Sequence, residues 1–202
     1  MNEKKYHPYV FDTINHKFVG KFESMYADES VNGFDSWHER DLRMLRKQLS
    51  LVVLSQYNFS NILELGCGKG TLTQFFKKKN NLVTAIDISQ TAISKGLQSY
   101  PDINFVVSDI LGYINLIKAS PQKFDLTVVM GTLAYVNNYS NILEKLAKHT
   151  DYLFVNEFIP DNPIGFVKSI DDLVNVVTKY FSLETKIILD EKNIFLLGKS
   201  KK

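Results

Sequence analysis

A chain of 202 residues with a 45% hydrophobic share can fill one compact core, which argues against disorder. Lysine and arginine number 24 against 22 acids, a formal net charge of +2, so the basic excess of a nucleic-acid binder is missing. A single cysteine, Cys67, excludes an intrachain disulfide and suits a reducing compartment, and no apolar run approaches the roughly 20 residues that span a bilayer.

The opening residues, MNEKKYHPYVFDT, carry no apolar stretch of signal-peptide length, so a cytoplasmic protein with no membrane partner is expected. Residues 1 to about 34 are rich in aromatics but lack clear periodicity, and are expected to form a cap or lid. Ser36, followed by Glu39, has the spacing of a capping box. Leu42, Leu45, Leu49 and Val52 then recur at helical spacing as a face to bury, with Arg40, Arg43 and Lys47 on the other side. Residues 1–58 are thus expected to be a lid and capping helix within the same domain as a core over residues 59–202.

From Ile62 onward, short apolar runs alternate with amphipathic ones. The strands expected are Ile62–Leu65, Leu82–Ile86, Ile103–Val107, Leu126–Met130 and Tyr152–Val155, with helices such as Gln90–Gln98 and Asn141–Lys148 between them. That alternation predicts an α/β fold, a parallel sheet covered by helices on both faces. Apolar runs such as NLVTAI and LTVVM suit buried parallel strands. Near the end, LETKIILDEKNIFLLG places Thr185–Leu189 and Ile194–Leu197 around a turn too short for a crossover helix. These two strands should run antiparallel to each other, so one of them opposes the parallel set. The Lys77-Lys78-Lys79 run reads as a solvated helix end and the terminal GKSKK as a frayed tail.

The chemistry concentrates in NILELGCGKGTLT. Gly66, Gly68 and Gly70 stand between a strand and an expected helix whose first N–H groups are unpaired. Such a loop could serve a dinucleotide, a phosphate or another adenosine compound. A dinucleotide loop wants Gly or Ala where Thr71 stands, and a P-loop wants Gly-Lys-Ser/Thr where Gly70 interrupts. Glu64, one strand position before the loop, would repel a pyrophosphate but can orient an ammonium group. Asp87, ending the second strand, can accept from ribose hydroxyls, and Asp109, after the third, from an exocyclic amine. Each acid could instead merely cap the helix that follows it.

The stretches LELGCGKG, AIDIS, VSDI and FDLTVVMGTLAYV, in that order, resemble the successive motifs of class I S-adenosylmethionine-dependent methyltransferases. The resemblance covers roughly residues 60 to 200. It implies a Rossmann-like three-layer sandwich, with a mostly parallel seven-stranded sheet and an antiparallel strand near the C-terminus. It also implies S-adenosyl-L-methionine as cofactor and S-adenosyl-L-homocysteine as product. On that basis Gly66, Cys67, Gly68 and Gly70 approach the methionine part and sugar, with Glu64 nearby. Asp87 and Ile88 would flank the ribose, Asp109 and Ile110 the adenine, and Met130 the methionine amine.

The chain departs from nucleic-acid and protein amide N-methyltransferases, which carry Asp/Asn-Pro-Pro-aromatic where MGTLAYV stands. It is closer to small-molecule enzymes, and FDSWHERDLRMLRKQ is similar to the N-terminal helix of the nodulation-factor family, which methylates an amine on a chitin oligosaccharide. The expected function is methyl transfer to oxygen or nitrogen of a small molecule, a sugar or sugar-derived metabolite among the candidates. The protein would act as a monomer or homodimer, without nucleic acid. Tyr135, His38 and Glu157 are the candidate bases, and Trp37 and Tyr26 could close over a sulfonium cation or the substrate. Cys67 reads as a small loop residue, and His7, His16, His38 and His149 show no metal-ligand spacing, so no metal is expected. A non-catalytic module that senses the cofactor and an NAD-dependent oxidoreductase are the alternatives.

Overall fold

The computed structural model describes residues 8–118 and 123–202. A short hairpin, β1 (Phe11–Asp12) and β2 (Lys17–Phe18), precedes helices α1 (Phe22–Asn32) and α2 (Leu45–Ser55). Then come β3 (Asn61–Leu65), β4 (Leu82–Asp87), α3 (Gln90–Ser99), β5 (Asn104–Val107) and α4 (Ile110–Lys118). The second half continues with β6 (Phe124–Met130), α5 (Tyr139–Ala147), β7 (Thr150–Phe158), α6 (Ile170–Tyr180), β8 (Phe181–Leu189) and β9 (Asn193–Ser200).

Among the described residues the main sheet has seven strands in the order β5-β4-β3-β6-β7-β9-β8. All pairs from β5 to β7 are parallel, and β9 lies between β7 and β8, antiparallel to both. The hairpin read from DEKN therefore inserts one reversed strand, and β8 runs with the parallel set. Strand order reverses at β3, which pairs with β4 on one side and β6 on the other. In an open α/β sheet that reversal leaves a crevice at the carboxyl ends of the strands, and the glycine loop follows β3 there.

Alternation along each buried strand divides the core. Leu63 and Leu65 join Ile114 of α4, Leu143 of α5 and Leu173 of α6 on one face, while Ile62 joins Leu54 of α2 and Ile93 of α3 on the other. Caps fix helix starts: the Ser89 hydroxyl accepts the Ala92 N–H at 3.1 Å, and the Ser169 hydroxyl accepts the Asp172 N–H at 3.0 Å. A third cluster joins the N-terminal segment to the sheet through Val10, Phe11, Met25, Tyr26, Ala92 and Ile164. Glu23 fastens α1 to the start of α3 by accepting from the Ser89 hydroxyl at 2.6 Å and the Thr91 N–H at 3.2 Å.

Several local expectations are corrected. The helix expected from Ser36 begins at Leu45, and Ser36 instead donates its N–H and hydroxyl to the Glu29 carboxylate, at 3.1 and 2.8 Å. The Asp35 carboxylate takes the Glu39 and Arg40 N–H groups, both at 2.9 Å, which holds residues 36–41 in turns. The buried face of α2 is the other one: Lys47, Ser50 and Leu54 are buried, while Leu45 and Val52 are each 57% exposed. Lys47 can be buried because its ammonium donates to the carbonyls of His38, Glu39 and Asp41.

No full helix follows the glycine loop, only a single 3-10 turn at Thr73–Phe75. Lys77–Lys79 thus sit on a turn rather than a helix end, with the Lys77 ammonium donating to the carbonyls of Lys78 and Asn81. The terminal GKSKK is not frayed, since β9 reaches Ser200 and Lys202 pairs with Asp151 at 2.7 Å. Strand β5 starts one residue after Ile103. His7 lies outside the described residues.

Candidate active site

The carboxyl edge of the sheet opens into a cleft of about 1010 Å³ roofed by the N-terminal segment. Along it lie Glu64, Gly66, Cys67 and Gly68 at the end of β3 and beyond it, Asp87 and Ile88 at the end of β4, and Asp109 and Ile110 after β5. Met130, Tyr135 and Glu157 come from the ends of β6 and β7, and Tyr26, Trp37 and His38 from the lid. Gly70 is the exception, turned toward Phe105, whose ring lies 2.5 Å from where a Cβ would stand.

The loop geometry demands glycine at two cleft positions. Gly66 has φ +74°, and an added Cβ would fall 2.4 Å from the Thr132 hydroxyl oxygen. Gly68 has φ +55°, and its Cβ would fall 2.7 Å from the Tyr26 hydroxyl and 2.9 Å from Glu39 Oε1. Both conformations are closed to other residues, and both place bare backbone on the cleft wall.

Glu64 is 3% exposed, and its Oε2 has no hydrogen-bond partner. Burial, assisted by the Glu39 and Asp87 carboxylates, pushes its pKa from 4.5 to about 8. An unpaired buried acceptor on the wall of a cleft calls for a donor, and an ammonium group satisfies both its charge and its lone pairs.

Asp87 is already engaged: Oδ2 accepts the Gly68 N–H at 2.9 Å and Oδ1 the Ser89 N–H at 2.9 Å. It therefore clamps the glycine loop to β4 while keeping lone pairs for hydroxyl donors. Burial raises its pKa against the pull of those N–H groups. Asp109 is exposed and accepts the Gly112 N–H at 2.8 Å, the capping role weighed for it, so the cap and a ligand contact share one carboxylate. Beside Asp87, Ile88 is 56% exposed, an apolar side chain offered to the cleft. Cys67 is buried, and its thiol pKa is raised by burial and the surrounding carboxylates, which suits a packing residue rather than a nucleophile. Unpaired acid, bare loop backbone, ribose-height acid and apolar shelf fit the ammonium, sulfonium and nucleoside parts of S-adenosylmethionine.

The lid adds a charge cluster that sequence reasoning missed. Lys69, inside the glycine loop and 11% exposed, pairs with Glu29 and lies 3.6 Å from Asp35 and 3.8 Å from Glu39. Its ammonium also sits 5.9 Å from the Tyr26 ring centroid, and the Tyr26 hydroxyl donates to Glu39 at 3.1 Å. Burial raises the Glu39 pKa against the opposing pull of Lys69. The signal was present as a lysine within GKG and three acids at 29, 35 and 39, but local pattern reading assigned Glu39 to a capping box.

At the other end, Tyr135 is ringed by aromatics. Phe11, Phe18, Phe22 and Trp37 lie 5.8, 6.1, 5.3 and 5.9 Å from it, centroid to centroid. Burial and the nearby Glu157 raise its pKa well above the ordinary 10, so the hydroxyl stays protonated. Glu157 is 2% exposed, accepts the Leu133 N–H at 2.9 Å, and is raised by burial to about 8. His38 is exposed at the cleft mouth with φ +51°. The three base candidates are thus a packed aromatic post, a buried carboxyl and a rim residue. Among the described residues no group of three or more His, Cys, Asp or Glu side chains could hold a metal ion, and no helix is long and apolar enough to cross a membrane.

Residues 62–151 match the model of a methyltransferase domain. Over that stretch the chain resembles a methyltransferase domain. Among curated relatives, nodulation protein S of Sinorhizobium fredii is 30% identical over 144 residues, 70% of this chain and 59% of that protein. Malonyl-[acyl-carrier protein] O-methyltransferase 2 of Ilyobacter polytropus is 28% identical over 163 residues, 74% of this chain and 61% of that protein. The chain therefore spans about three fifths of the length of these relatives. Among solved structures, the N-methyltransferase NodS of Bradyrhizobium japonicum in complex with S-adenosyl-L-homocysteine superposes with a TM-score of 0.71 at 21% identity, covering 89% of this chain and 98% of that one. The magnesium protoporphyrin IX methyltransferase of Synechocystis with S-adenosylmethionine gives 0.65 at 17% identity, covering 89% and 93%. These superpositions show a shared fold.

Proposed function

We propose that the protein transfers a methyl group from S-adenosylmethionine to an oxygen or nitrogen of a small molecule, a sugar or sugar-derived metabolite among the candidates, by direct in-line displacement. The observation that carries this reading is the buried Glu64 carboxyl, whose Oε2 has no partner, beside the bare Gly66–Gly68 backbone, with Asp87 and Asp109 following in order along one sheet edge. When bound, S-adenosylmethionine supplies a methyl group activated on a sulfonium sulfur. Glu64 would accept the ammonium end, with Gly66, Cys67, Gly68 and Gly70 shaping the loop around the methionine and sugar parts and Met130 alongside the amine. Asp87 and Ile88 would flank the ribose, and Asp109 and Ile110 the adenine.

Tyr26 and Trp37 close the roof and exclude water, and excluding water while aligning the acceptor is most of what such a reaction needs. Alignment of that kind can lower a barrier by about 7–11 kcal/mol where it acts fully. Of the base candidates, Glu157 has the pKa nearest neutrality, raised by burial to about 8, and its ionised fraction would be the form that takes an acceptor proton, whereas Tyr135 serves better as a packing post. His38 could carry a proton to solvent from the rim. On the same reading residues 1–58 are a lid on the 59–202 core rather than a separate domain, an assignment supported by the Lys69 cluster. The protein would work in the cytoplasm as a monomer or homodimer, without nucleic-acid or membrane partners.

Methyl-labelled S-adenosylmethionine incubated with a panel of amines, sugars, sugar nucleotides, phenols and carboxylic acids tests the reading. The expected outcome is label transfer to one acceptor class; label retained by the cofactor across the whole panel would contradict it.

A further inference from the structure

Two cations of α2 face the cleft, and they differ. Lys47 is saturated by three carbonyls, whereas the neighbouring Arg46, in the first turn of α2, has a buried Nε with no hydrogen-bond partner. No carboxylate lies within ion-pair distance of its guanidinium among the described residues; Tyr135, Glu157 and the neighbouring Lys47 act on it electrostatically. A partly buried guanidinium that lines a cavity without an anion is an incomplete site, because an arginine fork matches two oxygens of one carboxylate or phosphate.

We propose that Arg46 seats an anionic group of the acceptor, a carboxylate or a phosphate, so that the small molecule methylated is an acid rather than a neutral or cationic compound. The inference rests on the methyl-transfer reading and names the substrate class for it. Three further observations support it. Asp87 and Asp109 line the glycine-loop side of the cleft, whereas Arg46 is acted on by Tyr135 and Glu157, so those two carboxylates and the guanidinium occupy different parts of the cavity. Burial raises Glu157 to about 8, which weakens its charge near neutral pH and so its power to neutralise Arg46 or repel an incoming anion. Phe158, Pro160, Pro163 and Ile164 also line the cavity, and an apolar setting strengthens a charge-assisted contact. The seated anion is an anchor and not the methylated atom, because oxygens held by a guanidinium lose nucleophilicity.

A carboxylate also belongs to the methionine part of the cofactor, so two sources share this chemistry. The position of Arg46 beside Tyr135 and Glu157, rather than beside Gly66 and Asp87, favours the acceptor. The test compares wild type with Arg46→Gln, Arg46→Lys and, as a fold control, the exposed Arg43→Gln. Each protein is saturated with S-adenosylhomocysteine and melted against malonate, inorganic phosphate and, at equal ionic strength, choline chloride.

The expected result is a saturable rise in melting temperature with malonate or phosphate in wild type and Arg43→Gln. Arg46→Gln should weaken the response by about tenfold or more, with Arg46→Lys intermediate and S-adenosylhomocysteine affinity kept within about threefold. No saturable response in wild type, or an equal one in Arg46→Gln, would overturn the proposal. A loss of S-adenosylhomocysteine affinity in Arg46→Gln, with 5′-methylthioadenosine binding unchanged, would overturn it by assigning the guanidinium to the methionine carboxylate. An Arg46-dependent anion response in a protein that does not bind S-adenosylhomocysteine would support the anion seat and refute the methyl-transfer reading instead.

Discussion

The sheet edge and the lid meet across one cleft but are built by different rules. At the edge each candidate side chain stands near the end of a strand or just past it: Glu64 and Gly66 at β3, Asp87 at β4, Asp109 at β5 and Met130 at β6. Backbone pairing fixes their spacing, so a short run of sequence carries nearly all the geometry. In the lid, position comes from contacts between residues far apart in sequence: Lys69 with Glu29, Asp35 and Glu39, and Tyr135 with Phe11, Phe18 and Phe22. The edge is a scaffold for a constant ligand, whereas the lid is an assembly that holds itself together through the loop it covers.

The largest test of this contrast is Lys69→Met. Three lid carboxylates would then share a partly buried site without their cation, and breaking such a cluster costs about 3–5 kcal/mol. Urea unfolding should show that loss, and a change under about 1 kcal/mol would mean that the lid does not depend on the loop. Next comes Asp87→Ala, which removes the acceptor for the Gly68 and Ser89 N–H groups. Affinity for S-adenosylhomocysteine should fall by about tenfold or more, while the protein stays folded; an unchanged dissociation constant would refute the ribose role.

These two residues also mark where sequence reading succeeds and fails. Asp87 was legible because a strand end projects its side chain to a fixed place, and the sheet, its reversed strand and the acid series were legible for the same reason. Lys69 was not, because nothing local says which distant acids will surround it. The misread of α2 has a similar cause. Leu42, Leu45, Leu49 and Val52 form a better helical stripe than Lys47, Ser50 and Leu54, yet the polar stripe is buried, since the turn at residues 38–41 offers carbonyls to Lys47. Helix α1 escaped detection because FESMYADESVN has no apolar stripe; it is held by Met25, Tyr26 and the bonds of Glu23 and Glu29. Arg46 was hidden with the misread face.

A smaller effect tests the edge alone. Glu64 has a folded pKa raised to about 8 from an ordinary 4.5, so folding takes up a proton between those values. Its contribution is fully present below about 4.5 and is lost as pH rises through about 8. Glu64→Gln should therefore flatten the fall in stability between pH 5 and 8.5 by on the order of 1–3 kcal/mol, with part of the slope remaining from Glu157. Denaturant unfolding at both pH values checks this, and identical slopes in the two proteins would contradict the burial of an unpaired carboxyl. The smallest effect belongs to the contact between the lid and Tyr135 of the core. Tyr135→Phe keeps the ring that packs Phe18 and Trp37, so the melting temperature should barely move and turnover should change by less than about threefold. A loss of a hundredfold in turnover would make the hydroxyl a catalytic group.

The central claim is that the acid series and glycine loop form a site for the methyl donor. Calorimetric titration of the wild-type protein tests it most directly. The account predicts one saturable site per chain for S-adenosylhomocysteine and no response to NAD(H). Saturable NAD(H) binding with no heat from S-adenosylhomocysteine would contradict it.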